Sequence, residues 1–131
     1  MVEIYIPSEV GYEKVAISAV AVLAKKIGFS VERIEDLKTA LAEAVTNAIE
    51  HGNQLKAEIR VLIGLTIQEK ALMLNIVDQG YQPIPDIPAE RQERVDNRGL
   101  GMFLMKSLMD EVEFIVRPGY NEVRMVAYLE G

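Results

Sequence analysis

The sequence predicts an α+β fold: a two-layer sandwich with three helices on one face of a mostly antiparallel, mixed β-sheet. Three observations carry this. Segments with apolar residues at alternate positions are interspersed with segments whose apolar residues recur every three to four, so strand and helix periods are both present. The strand-like segments 57–67 and 71–78 are separated only by Gln68-Glu69-Lys70, which fits an antiparallel pair. The resulting order, β-α-α-β-β-loop-α-β-β, gathers the helices on one side of the sheet.

Bulk properties narrow the function classes. A chain of 131 residues, half of them hydrophobic, fits one domain, residues 1–131, with a real core. Fourteen basic and twenty acidic residues give a net charge of −6, which disfavours nucleic acid as a partner. A nucleotide is not disfavoured, because backbone N–H groups and one metal ion can hold its phosphates. No apolar run approaches the roughly 20 residues of a membrane span. The N-terminus lacks a signal-peptide pattern, so the expected location is cytoplasmic. There are no cysteines, which rules out disulfides and thiolate metal sites.

Residues 2–7 alternate and end at Pro7, as a strand does. Ser8, Glu9 and Gly11 lead into a helix over residues 13–27, with Val15, Ala19, Val22, Leu23 and Ile27 on its buried face and Gly28 as its C-terminal cap. Ser30 caps a long helix running to His51. Its apolar face is Leu37, Ala40, Leu41, Ala44, Val45 and Ala48. Strands follow at 57–67 and 71–78. From residue 79 the pattern dissolves: Pro83, Pro85, Pro88 and dense charge make residues 79–98 a long loop, a length often associated with a lid. A helix resumes over 99–109, with Met102, Met105 and Met109 suited to the core. Segments 111–117 and 121–129 form a hairpin around Pro118-Gly119-Tyr120.

Three places in this frame could do chemistry. On the long helix, Glu43, Asn47 and His51 stand at i, i+4 and i+8, so α-helical geometry puts them in one stripe about 6 Å apart. A carboxylate can take a proton and a carboxamide oxygen can bind a hard cation. An ordinary solvated stripe would look the same, and His51 reads more simply as a helix-end anchor. Asp78-Gln79-Gly80 closes a strand. The carboxylate could accept a hydrogen bond from an exocyclic amine such as that of adenine, and Gly80 would let backbone approach a flat ring; an Asp-x-Gly turn needs the same residues. Arg98-Gly99-Leu100-Gly101-Met102 opens a helix, where glycines and N-terminal N–H groups can wrap a phosphate and Arg98 can add charge. A two-glycine hinge is the plainer alternative.

Taken in order, the three segments resemble the boxes of the GHKL ATPase/kinase superfamily. Glu43-x-x-x-Asn47 resembles its N box, Asp78-x-Gly80 its first glycine box and Gly99-x-Gly101 its second. Asn47-Ala48-x-x-His51-Gly52 and the run from Gly99 to Val112 are similar to the anti-sigma-factor serine kinases of the RsbW and SpoIIAB type. The resemblance covers nearly the whole chain. It implies Glu43 as general base, Asn47 as the Mg²⁺ ligand, Asp78 as the adenine reader with Gly80 beside it, and Arg98, Gly99, Leu100, Gly101 and Met102 around the phosphates of ATP. It implies a protein serine/threonine kinase that phosphorylates a serine of a small STAS-type anti-sigma-factor antagonist, holds a sigma factor and forms a homodimer. The first box departs from the family, with Tyr81-Gln82 where a second glycine often follows. No histidine-bearing dimerisation domain of the sensor-kinase kind accompanies it. Rival readings are a non-catalytic ATP-dependent binding module, a switch kinase acting on a scaffold protein without a sigma factor, and a plain structural domain.

Overall fold

Ser30 and two glycines set the ends of the elements. The Ser30 Oγ accepts the Arg33 N–H at 3.1 Å and so starts α2 (Val31–Asn47). Gly28, at φ 105°, closes α1 (Glu13–Ile27) in the left-handed conformation that glycine adopts without strain. Gly119, at φ 87°, turns β4 (Glu111–Arg117) into β5 (Tyr120–Tyr128). The remaining elements are β1 (Val2–Pro7), β2 (Arg60–Gln68), β3 (Ala71–Asp78) and α3 (Arg98–Leu108). The computed structural model describes residues 1–79 and 98–129. Gly80 and almost all of the expected lid therefore lie outside the described residues.

The five strands form one sheet in the order β1-β2-β3-β5-β4, and every pairing among the described residues is antiparallel. The parallel pair of a mixed sheet is thus not among them. The α+β class and the three helices stand as expected. Alternation places Leu72, Leu74, Ile76 and Asp78 of β3 in the interior, and likewise Asn121, Val123, Met125 and Ala127 of β5. α2 packs between α1 and α3 over this face, contributing Leu37, Ala40, Leu41, Ala44 and Val45, all essentially inaccessible. Met102, Met105 and Met109 are buried, as their spacing suggested. Each fully enclosed large side chain of this set contributes about 1.5–3 kcal/mol of apolar transfer.

Three expectations need correction. The buried stripe of α1 is Ala16, Val20 and Ala24; Val15 and Val22 are 49% and 67% exposed, while Ala19, Leu23 and Ile27 only border the core. Small residues let α1 lie close to α2, and they carry little hydrophobic signal in the sequence. β2 begins at Arg60 rather than 57, because Gln54 and Leu55 adopt left-handed φ of 53° and 58° and the Ile59 N–H is held by Lys56 O at 2.9 Å in a turn. The long helix does not reach His51 as an α-helix. It passes into a π-turn, Ala48–Gly52, closed by Asn53 N–H donating to Ala48 O at 2.8 Å, five residues back. No helix among the described residues is long and apolar enough to cross a membrane.

Candidate active site

α2 delivers Glu43 and Asn47 on one face, one α-helical turn apart. His51 is half-buried and belongs to the π-turn, not to α2. The same π-turn brings Gly52 against the end of β3. A methyl group on Gly52 would collide with the Asp78 carboxylate, so glycine is what lets the helix end and that carboxylate touch.

Asp78 is 6% exposed. It is in phase with Leu72, Leu74 and Ile76, so its side chain points to the helices and not out of a solvent turn. Its cross-strand partner in β5 is Asn121, itself 1% exposed, whose Nδ2 donates to Asp78 Oδ1 at 3.2 Å. Just outside, Asn53 is fully buried and joins Ser8 Oγ, Arg60 O and the Gln79 backbone N–H. Neither Asn53 nor Asn121 was singled out by the sequence motifs.

α3 covers the other side. Arg98 and Gly99 are its first two residues. A Cβ on Gly101 would lie 2.5 Å from Glu43 Oε2 and 3.6 Å from Asn47 Nδ2, so this glycine sits directly on the carboxylate and the amide. Met102 is buried beside them, whereas Leu100 is 37% exposed. Residues of the three motifs therefore meet: Glu43 and Asn47 from α2, Asp78 from β3, Gly101 and Met102 from α3. A residual cavity of only about 10 Å³ remains among Ala44, Asn47, Ile76, Asp78 and Met102. Two larger hollows, about 380 and 390 Å³, lie at the start of α2 and on the outer sheet face, and neither gathers these residues.

The electrostatics suit proton transfer. Burial pushes the Glu43 carboxyl above its ordinary 4.5, and the Glu50 carboxylate adds to the effect. Among the described residues Asn47 Nδ2 is buried without a hydrogen-bond partner, an arrangement that costs stability. The donor set fits a lightly held hard cation. No group of three His, Cys, Asp or Glu side chains able to hold a metal exists among the described residues. Mg²⁺ usually keeps several waters and takes further oxygens from substrate phosphates, so few protein ligands are needed, and the Asn47 carboxamide oxygen could serve as one.

Residues 6–127 match the family model for the histidine kinase-like ATPase domain. The chain is 33% identical to the serine-protein kinase RsbW of Bacillus velezensis, over 99% of this chain and 86% of that one. It is 30% identical to RsbW of Bacillus subtilis, again over 99% and 86%. With the anti-sigma F factor of Thermoanaerobacter pseudethanolicus it shares 34% identity over 98% of this chain and 94% of the other. Among solved structures, the RsbU and RsbW domains of a Mycobacterium tuberculosis protein superpose with a TM-score of 0.68 at 16% identity, over 98% of this chain and 33% of that one. A histidine kinase domain from Erythrobacter litoralis superposes at 0.61. The fold, the meeting of the three motifs and these likenesses place the chain in the histidine kinase-like ATPase family, alongside the RsbW serine-protein kinases and anti-sigma F factors.

Proposed function

We propose that residues 1–131 act as one Mg-ATP-dependent protein serine/threonine kinase domain of the anti-sigma type. Its substrate is a serine on a small STAS-type anti-sigma-factor antagonist, and its second partner is the sigma factor that the antagonist releases. The domain acts in the cytoplasm as a homodimer. The observation that carries the chemistry is the approach of Gly101 to Glu43 and Asn47, a half-buried carboxyl of raised proton affinity one turn from an amide whose Nδ2 has no partner among the described residues.

Glu43 takes the proton of the serine hydroxyl as its oxygen bonds to the γ-phosphorus and the bond to the β–γ bridging oxygen breaks, leaving ADP. A carboxyl whose proton affinity is raised is a stronger base than one in water. Asn47 holds Mg²⁺ through its carboxamide oxygen, and the ion when bound neutralises phosphate charge. Asp78 accepts the adenine amino group. Arg98 and the N-terminal turn of α3, Gly99 to Met102, receive the phosphates. Gly80 and the lid complete the reading from the sequence.

Calorimetric titration with ATP, with and without Mg²⁺, tests the first half. Magnesium-dependent binding is expected, and no binding at millimolar ATP would overturn the reading. Transfer of labelled phosphate to a STAS-type partner tests the second half; binding without transfer would leave a nucleotide-gated binding module.

A further inference from the structure

We infer that Asn53 is the positioning residue that sets the base-reading carboxylate: it is a buried strut that ties the end of β3 to β1, β2 and the π-turn. The inference rests on the reading of Asp78 as the acceptor for the adenine amino group.

Asn53 has no solvent exposure, and its side chain reaches three separate segments. Its Nδ2 donates to Ser8 Oγ at 2.9 Å, just past β1, and to Arg60 O at 3.3 Å, at the start of β2. Its Oδ1 accepts the backbone N–H of Gln79 at 2.7 Å. Both amide hydrogens and one oxygen lone pair are thereby used. Ser8 is anchored in turn, its own N–H donating to Ile59 O at 3.2 Å. The backbone of Asn53 closes the π-turn on Ala48, one residue beyond Asn47. One residue thus fixes the end of the helix that carries Asn47 and also the peptide that follows Asp78.

The last ladder residue of β3 is Asp78. Beyond it the N–H of Gln79 is held by Asn53, not by a neighbouring strand. Without that bond the end of β3 can fray, and the Asp78 carboxylate, pressed on Gly52 and held by Asn121, loses the backbone that aims it. A carboxylate that must pair with one particular amine depends on orientation more than one that merely supplies charge. The strut should therefore govern discrimination between bases more than retention of phosphate.

The test compares Mg-ATP with Mg-ITP, whose base carries a carbonyl in place of the amino group, by equilibrium titration of the full chain. Wild type should favour ATP by tenfold or more, the size expected for a hydrogen bond to a charged acceptor. Asn53→Ala should weaken ATP by about that factor and leave ITP nearly unchanged, collapsing the preference. A purely structural role would lower both affinities in parallel. Val20→Ala, a core truncation on α1, supplies that comparison and should keep the preference. A wild-type preference that survives Asn53→Ala would overturn the strut alone. Equal wild-type affinities would overturn the reading of Asp78 and this inference with it. Amide hydrogen exchange on the wild type needs no variant: Gln79 should be protected like Ile76 in β3, and exchange at the rate of an open turn would overturn the strut.

Discussion

Four polar residues, Ser8, Asn53, Asp78 and Asn121, are enclosed at the end of the sheet where β1 and β3 finish and β5 begins. At the opposite end the polar ties lie near the surface. There Arg33 of α2 pairs with Asp110 at 2.8 Å and Asp36 at 3.3 Å and donates to the Leu108 carbonyl, while Asp110 also accepts the Tyr128 N–H at 2.6 Å. The two ends do the same mechanical job, joining helices to strands. They differ in tolerance. An enclosed polar group that loses its partner keeps its full desolvation penalty, whereas an exposed one turns to water. In this chain the intolerant kind of tie surrounds Asp78, the proposed base reader, and the tolerant kind lies at the far end.

Variants can sharpen or break that contrast. The largest effect is expected at the enclosed end, from Glu43→Gln. Phosphate transfer should fall at least about 100-fold, the usual worth of a general base, with ATP binding kept; retained transfer in a radiolabel assay would remove Glu43 from the role. The same variant carries a pH signature. The folded-state pKa of Glu43 is raised, so its stabilising share is present below the ordinary 4.5 and is lost as pH rises through the folded value. Glu43→Gln should therefore melt higher than wild type at pH 7, with the gain vanishing in acid, while wild-type transfer grows with pH through that raised value.

Gly52→Ala comes next. The added methyl meets the Asp78 carboxylate, and overpacking of this kind costs about 1–3 kcal/mol. Denaturant unfolding should show that loss together with weakened ATP binding. Asn47→Ala should weaken Mg-ATP by on the order of tenfold. It should leave the melting temperature of the free protein unharmed, because its Nδ2 has no partner to lose among the described residues. A large drop in that temperature would mean that Asn47 is structural. The smallest effect belongs to the opposite end. Arg33→Ala should cost about 1 kcal/mol, less at high salt, and leave nucleotide affinity unchanged. An effect on ATP would erase the distinction between the two ends.

Sequence reading found the elements because their signals are local. Ser30, Gly28 and the Pro118-Gly119 turn act within a few residues of themselves. It found Glu43, Asn47, Asp78 and Gly101 because their spacings form motifs, and the structure brings these four together. What it missed depends on contacts across the chain. The bond between Asn53 and Ser8 spans 45 residues, and nothing local announces it. The face of α1 came out rotated because Ala16 and Ala24 are buried for their smallness while the more hydrophobic Val15 and Val22 face solvent. The π-turn spans only five residues, too short a change for periodicity to register. One signal was available and unused: Asn121 alternates in phase with Val123, Met125 and Ala127, which puts an amide in a core position that must have a partner.

The near absence of space beside Asp78 has a consequence for affinity. A cavity of about 10 Å³ has room for roughly one water molecule and none for a purine. On the proposed reading, a base seated beside Asp78 would need Met102, which lines that cavity, to move aside. Binding then draws on a minority population, and the measured dissociation constant equals the intrinsic one divided by the fraction of molecules already open. If one molecule in about a hundred is open, affinity is about a hundredfold weaker than the contacts alone would give. A partner that held α3 outward would tighten nucleotide binding without touching the nucleotide, and by reciprocity the nucleotide would tighten that partner.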